Sequence, residues 1–287
     1  GTRSAVINNT GIIKAGKNGT GIYALNTLIP ISSNDFTNAE KGNIIINNSG
    51  NITAIGNGTT PGYGIVAQNR VADKTSTITV TAGTIDISSN TGGAGVYANN
   101  TNVNPAVVNP TANSVININA GTIKAGKEGA AVAHINGITN IAAAAIETTG
   151  EKSTGIFQQN GGTVKLNGTN LKIGNKGIGA YAQNANIENN ASNITSFGDA
   201  AIGYAIENGT FTNSTAGNTP ILGNDSVYIY VKGNGATATA TNNTPVISTG
   251  SGNVALYGNG TANIVNNADI NFEKNIQNVG ILMTGNG

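Results

Sequence analysis

The sequence predicts an all-β chain folded as a parallel β-helix (a solenoid) of about ten coils, each with about 24 residues and three strands. An aliphatic residue recurs ten times, a small residue precedes it by two positions each time, and asparagine precedes it by four positions in seven repeats. The ten aliphatic positions are Ile13, Ile52, Ile85, Ile123, Ile146, Leu171, Ile194, Ile221, Val246 and Ile270. A repeat that runs from end to end predicts one elongated domain over residues 1–287, a segment of a longer array.

Each repeat contains three short stretches that are typical of strands. Residues 121–126 (GTIKAG) represent the first stretch, which carries the aliphatic position. Residues 21–24 (GIYA) represent the second stretch, and residues 115–119 (VININ) represent the third. All three are rich in β-branched residues, alternate with period two and are bounded by glycine or asparagine. Each strand is therefore expected to pair in parallel with its counterpart one coil later, about 4.8 Å away.

The alternation along the first strand predicts which side chains face the interior. The aliphatic residues are expected to point inward, because the next position carries a charge in four successive repeats, as Asp86, Lys124, Glu147 and Lys172. Burying one such aliphatic side chain contributes roughly 1.5–3 kcal/mol. The asparagines are expected to form an internal ladder of hydrogen-bonded amides at a turn. They are Asn9, Asn48, Asn119, Asn167, Asn190, Asn242 and Asn266.

The second strand has two alternating columns. The aliphatic column is expected inside, because alanines such as Ala24 and Ala67 share its phase. Its members are Ile22, Ile65, Val96, Val132, Ile156 and Ala180. The other column then forms a broken aromatic stripe on the outer face, consisting of Tyr23, Val66, Tyr97, Ala133, Phe157 and Tyr181. Tyr228 and Tyr230 are also expected to face outward and to pack on neighbouring side chains.

The first three intervals between aliphatic positions are longer than the others, and their extra residues all follow the second strand. These insertions span about residues 25–42, 68–75 and 99–114. Since they leave adjacent coils at the same corner, they are expected to touch one another, and insertions on one face of a solenoid are often its binding face. The predicted partner-binding residues are Phe36, Arg70, Asp73, Lys74, Tyr23 and Tyr97.

Composition argues against several classes of protein. Only 9% of the residues are charged and the formal net charge is +1, so nucleic acid is not a predicted partner. The chain has no cysteine, which excludes disulfides and cysteine-bound metals and is compatible with an oxidising compartment. The sequence contains no continuous apolar stretch of about 18 residues, the length typical of a membrane-spanning helix. No metal and no other cofactor is predicted.

The candidates for catalysis have simpler structural explanations. Residues 11–17 and 121–127 both read G-x-x-x-x-G-K, but Asn18 and Glu128 follow where a phosphate-binding loop needs Ser or Thr, and no helix is predicted there. His134, the only histidine, has no neighbouring Cys, Asp or Glu in the sequence and is expected to be structural. The aspartates do not form the carboxylate pair that glycan cleavage needs. We predict no catalytic residues; a polysaccharide-acting enzyme, including the tailspike kind, and a pure structural spacer are the alternatives.

The repeat units resemble those of one protein family. The motif N-x-G-x-I-x-A-G, followed by G-I-Y-A-x-N, stands at residues 9–16 and 21–26, and its first part recurs at residues 119–126. These units resemble the passenger domains of type V autotransporter adhesins, above all the large fusobacterial ones. The resemblance implies a right-handed β-helix displayed on the bacterial surface outside the outer membrane. It also implies a virulence role in adhesion to host cells or other bacteria, through a protein or glycan receptor.

The same resemblance implies how the chain meets the membrane. Contact with the outer membrane is expected only through a C-terminal transmembrane barrel that is not part of this sequence. The segment itself is expected to be monomeric.

Overall fold

The computed structural model describes residues 4–26, 42–56, 61–71, 74–100, 114–214, 218–273 and 275–285. Within these ranges the chain is all-β, with 26 strands and no helix. Most of the first and third predicted insertions lies outside the described residues, and so do Phe36 and Asp73, whereas residues 68–71 and 74–75 of the second insertion are described.

The strands are mostly short, and four of them join the second and third stretches of a repeat into one longer element. Those four are β12, β14, β22 and β24. In chain order the strands are β1 (Ala5–Asn9), β2 (Ile12–Ala15), β3 (Thr20–Asn26), β4 (Ile44–Asn48), β5 (Asn51–Ala54), β6 (Gly62–Asn69), β7 (Ser76–Val80), β8 (Thr84–Asp86), β9 (Gly93–Asn100), β10 (Ser114–Ile118), β11 (Thr122–Ala125), β12 (Ala130–Ala142), β13 (Ala145–Thr148), β14 (Thr154–Asn167), β15 (Asn170–Ile173), β16 (Ile178–Gln183), β17 (Asn186–Asn189), β18 (Asn193–Phe197), β19 (Ile202–Glu207), β20 (Thr210–Asn213), β21 (Ile221–Leu222), β22 (Val227–Asn242), β23 (Val246–Ser248), β24 (Val254–Asn266), β25 (Ile270–Asn271) and β26 (Val279–Thr284).

Each strand pairs in parallel with its counterpart one repeat away. Strand β11 pairs with β8 and with β13, so that Ile123 lies opposite both Ile85 and Ile146. The first stretches form a seven-stranded sheet in the order β18-β15-β13-β11-β8-β5-β2 and, further along, a three-stranded sheet β21-β23-β25. The second and third stretches belong to a 16-stranded sheet. This arrangement confirms the predicted all-β fold with parallel pairing between counterpart strands.

Nine of the ten predicted aliphatic positions are buried or half-buried, and one is exposed. The buried members are Ile52, Ile85, Ile123, Ile146, Leu171, Ile194 and Val246, and Ile13 and Ile270 are half-buried. Ile221 is instead 51% exposed, while Leu222 beside it is fully buried. The prediction for Ile221 is wrong because the pairing of β21 with β23 is shifted by one residue from the register that the repeat predicts. Ile221 pairs with Ile247, so the buried Pro220 takes the inward place opposite Val246.

The charged row beside the column confirms the register of the first strands. Lys124 lies opposite both Asp86 and Glu147, and Glu147 lies opposite Lys172. The ammonium nitrogen of Lys124 is 3.7 Å from Oε2 of Glu147. Exposed pairs of this kind contribute little stability, but a shift of one residue would bury all four charges.

The predicted ladder of asparagines is only partly right. Asn9 donates a hydrogen bond to Asn48 (2.7 Å), and towards the other end Asn213 donates to Asn242 (2.8 Å), which donates to Asn266 (2.9 Å). Asn213 was not among the predicted members. Three predicted members are exposed and lie one residue beyond the inward position: Asn119, Asn167 and Asn190.

The length of the turn decides which residue faces inward before the first strand. Asn48 lies four positions before Ile52, and its side-chain amide donates to the carbonyl of Gly50 (3.0 Å), which satisfies a backbone group of this short turn. In the middle of the chain Ile118 takes the inward place, five positions before Ile123. The additional residue in that turn puts Asn119 on the outer surface.

A column of glycines lies where the second strand begins, because the interior has no room for a side chain there. A Cβ atom on Gly64 would lie 2.3 Å from Cγ2 of Ile85 and 2.4 Å from the carbonyl oxygen of Gly95. A Cβ atom on Gly21 would lie 2.4 Å from Cγ2 of Ile52. The branched aliphatic residue of one strand therefore fills the space beside the glycine of another.

Replacing Gly64 by alanine is expected to lower the free energy of unfolding by roughly 1–3 kcal/mol, because overpacking forces backbone shifts. Gly16→Ala is the matched control, since a Cβ atom there would have no neighbour within 4 Å. Guanidinium unfolding followed by tyrosine fluorescence measures both. Equal midpoints for the two variants would contradict the packing described for Gly64.

An aromatic cluster lies in the interior of the described part of the chain. Tyr228 is 2% exposed, and its ring centroid lies 5.7 Å from that of Tyr204, which is 4.9 Å from that of Phe211. The prediction that Tyr228 faces outward is wrong, because it stands at the inward position that is glycine in most repeats. Tyr230 is half-exposed and packs edge-to-face on Tyr257 (5.2 Å), as expected.

Candidate functional site

The outer face of the second strands carries the predicted aromatic stripe. Strands β3, β6, β9, β12, β14 and β16 pair in register at this position. The side chains of the stripe are, in order, Tyr23, Val66, Tyr97, Ala133, Phe157 and Tyr181. Each follows a buried member of the aliphatic column, so the stripe faces outward, as predicted. Tyr23 is 53% exposed, whereas Val66 is almost covered by its larger neighbours.

A row of mainly polar side chains runs beside the stripe, two residues further along each strand. Its polar members are Gln68, Asn99, Gln159, Gln183, Glu207 and Lys232. The amide of Gln159 donates to Oε1 of Gln183 (2.7 Å), and the amide of Gln183 donates to Oε2 of Glu207 (3.3 Å). Aromatic and amide groups therefore stand side by side on one outer face.

A depression at the N-terminal end of this face has a volume of about 430 Å³. We call it the tyrosine groove; it is lined chiefly by Tyr23, Tyr63, Val66, Gln68, Ala94 and Tyr97. The groove exists because Val66 is shorter than the tyrosines at the same position of the strands on either side. Two large side chains form its walls and a small one forms its floor.

Hydrogen bonds and ring contacts hold the walls of the tyrosine groove. The hydroxyl of Tyr23 donates to Oε1 of Gln68 (3.1 Å). The side-chain amide of Asn99 donates to the hydroxyl of Tyr97 (2.9 Å), and the ring of Tyr63 packs at 6.2 Å from that of Tyr97. Burial raises the pKa of Tyr97, so its hydroxyl keeps its proton at neutral pH.

Further along the same face, a ring contact and a partly buried hydrogen bond link Phe157, Tyr181 and Glu207. Phe157 packs on Tyr181 at 5.5 Å, and the hydroxyl of Tyr181 donates to Oε2 of Glu207 (2.9 Å). Burial, followed by this hydrogen bond, raises the pKa of Tyr181 to about 12. The hydrogen bond from Tyr181, together with one from Lys232 (3.3 Å), lowers the pKa of Glu207. The pair is therefore neutral tyrosine and ionised glutamate, not an acid and base that exchange a proton near pH 7.

No family model, curated protein or solved structure matches this chain. The function of the face therefore has to be judged from its own geometry and chemistry.

The structure brings two of the six predicted partner-binding residues together. Tyr23 and Tyr97 form opposite walls of the tyrosine groove. Arg70 is exposed directly after β6, and Lys74 is half-buried before β7. The remaining two lie outside the described residues, so their role stays a prediction.

The sequence interpretation missed Tyr63 and Gln68. Period two would put Tyr63 on the same side as the buried Ile65. The structure has both Gly64 and Ile65 facing inward, which turns Tyr63 to the outer face. The repeated glycine at the start of the second strand was the signal, because a glycine column marks a place where the alternation is broken.

His134 lies in the interior and not on this face. It is fully buried, and its Nδ1 donates to the hydroxyl of Thr139 (2.9 Å), which donates in turn to Oε1 of Gln158 (2.9 Å). Burial lowers the pKa of His134 to about 3, so the imidazole is neutral. These contacts support the structural role expected for this histidine.

Among the described residues, no group of three or more His, Cys, Asp and Glu side chains is arranged to hold a metal ion. No helix in the same ranges is long and apolar enough to cross a membrane. Residues 11–17 and 121–127 form a strand followed by a turn, as expected for these two phosphate-loop look-alikes.

Proposed function

We propose that this chain is a segment of a binding rod on the bacterial surface, the passenger of an autotransporter adhesin that attaches to host cells or other bacteria. In this proposal the segment lies outside the outer membrane and has no catalytic activity. The observation that carries the proposal is the outer face on which aromatic and amide side chains stand in register over successive repeats. Rigid aromatic anchors surrounded by polar groups are typical of recognition surfaces.

We also propose that the strands wind as a right-handed parallel β-helix of about ten coils. Two observations support the winding. Ala133, Phe157 and Tyr181, each 24 residues apart, lie opposite one another on successive strands. The consecutive strands β11 and β12 belong to different sheets, as expected when the chain turns a corner between them. In such a stack each coil contacts only its neighbours, so a long array can carry a binding face far from its anchor.

A polysaccharide-acting enzyme is the competing function. Glycoside cleavage uses two carboxyl groups beside one bond, and one of them must be protonated. Among the described residues, Glu207 is hydrogen-bonded to Tyr181 and Lys232, and Glu151 is paired with Lys176. These partners lower the pKa of both carboxyl groups, so neither of them is suited to be the protonated acid of such a reaction.

Cell binding by the purified chain tests the proposed function. Fluorescent chain is incubated with cultured host cells and, separately, with other bacteria, and the bound fraction is measured by flow cytometry. The double variant Tyr23→Ala, Tyr97→Ala is expected to bind about tenfold less strongly, since truncating a central aromatic anchor commonly has an effect of this size.

Ile12→Ala serves as the control for this experiment. Ile12 is also an exposed apolar side chain in the first repeat, but it lies on β2 in the other sheet. The control variant is expected to bind like the unchanged chain. Absence of binding by the unchanged chain would favour a spacer, and new reducing ends after incubation with polysaccharides would favour an enzyme.

A further inference from the structure

We infer that the tyrosine groove binds an uncharged saccharide, with one pyranose ring seated between Tyr23 and Tyr97. This inference rests on the proposed function, because it names the class of ligand for the same face. Its support comes from the width of the groove, its lining chemistry and its size.

The spacing of the strands gives the groove its width. Tyr23, Val66 and Tyr97 stand on three successive paired strands. Since paired strands are about 4.8 Å apart, the two tyrosines begin roughly 9.6 Å apart, with the short Val66 between them. A six-membered ring in van der Waals contact with both walls needs about 3.5–4.0 Å on each side. The spacing of the strands therefore matches the width that one sugar ring needs.

The walls suit the C–H faces of a sugar ring. Tyrosine rings carry negative charge on their faces, and the axial C–H groups of a pyranose carry a weak positive charge. Packing the apolar side of the sugar on an aromatic ring also removes both surfaces from water. The tilted pair formed by Tyr63 and Tyr97 makes one wall larger than a single ring would.

The polar groups at the rim match hydroxyl groups, which both donate and accept hydrogen bonds. The hydroxyl of Tyr97 accepts from Asn99 and keeps its own proton for donation. The hydroxyl of Tyr23 donates to Gln68, which leaves the Tyr23 oxygen able to accept. The described lining of the groove contains no Lys, Arg, Asp or Glu side chain, so it offers no partner for a charged ligand.

The size of the groove also favours a small ligand over a protein. Small-molecule sites typically have volumes of about 300–1,000 Å³, a range that includes this groove of about 430 Å³. A stable protein partner usually contacts about 20–30 residues on each side. The tyrosine groove by itself is much smaller than that.

Saturation-transfer NMR with the intact chain tests the inference. The neutral probes are the methyl glycosides of glucose, galactose, mannose, N-acetylglucosamine and N-acetylgalactosamine, and the acidic probes are glucuronic acid and sialic acid. At least one neutral probe is expected to receive saturation, and its affinity is expected to fall about tenfold in Tyr23→Ala and in Tyr97→Ala. Tyr97→Phe, which keeps the ring, is expected to lose less.

Tyr257→Ala is the control, because Tyr257 stands at the same position of a later strand, outside the groove. It is expected to leave saccharide binding unchanged, and circular dichroism verifies the fold of every variant. Binding of acidic probes alone, no binding of any probe, or equal binding by the groove variants would each overturn the inference. If the groove variants then still lose cell binding, the proposed adhesion stands and its ligand is another class, such as a protein.

Discussion

Replacing Ile123 by alanine is expected to lower the free energy of unfolding by about 2–5 kcal/mol. Ile123 is fully buried and lies between Ile85 and Ile146 on the neighbouring strands. Its Cγ2 also fills the space beside Gly95, where a side chain is missing. Backbone hydrogen bonds to the strands on both sides prevent the cavity from collapsing, so the loss includes a cavity term in addition to the lost burial.

Ile221→Ala is the matched control for this prediction. Its place in the sequence repeat is equivalent to that of Ile123, but its side chain is half-exposed. The expected change is within about 0.5 kcal/mol, as for most surface substitutions. Guanidinium unfolding followed by tyrosine fluorescence measures both variants, since the chain has no tryptophan. A larger loss for Ile221→Ala than for Ile123→Ala would contradict the register described for β21.

Lowering the pH from about 6.5 towards 3 is expected to destabilise the fold through His134. In the folded chain burial lowers the pKa of His134 from 6.5 to about 3. Between these values the unfolded chain binds a proton that the folded chain excludes, so stability falls as the pH falls. One such proton lowers the folding equilibrium constant by up to tenfold per pH unit. Above pH 6.5 the imidazole is neutral in both states and the effect disappears.

His134→Gln and His134→Ala separate this effect from the titration of carboxylates. Alanine is compatible with this inward position, because Ala98 and Ala182 occupy it in other repeats. Urea unfolding is measured from pH 7 to pH 4, and the slope of stability against pH is compared with that of the unchanged chain. Both variants are expected to have a shallower slope, whatever their stability at pH 7. Parallel slopes would show that His134 does not titrate in this way.

The sequence alone could predict the outward direction of two side chains of the candidate site, but not the groove that they form. Tyr23 and Tyr97 could be assigned to the outer face from the alternation with buried Ile22 and Val96. The groove between them could not, because it depends on three strands brought together from distant parts of the chain. Tyr63 was missed for a local reason, since two consecutive inward residues at the glycine column break the period of two.

The sequence by itself determined the strands, their parallel pairing with counterparts one repeat later, and the facing of most side chains. It could do so because aliphatic and glycine residues recur at the same positions in most repeats, so each strand carries its own pattern. Only the tertiary structure decided the facing of Ile221, Asn119 and Tyr228. The direction of those side chains depends on the length of the preceding turn and on the space left by neighbouring strands, and neither quantity is encoded in the alternation of a single strand.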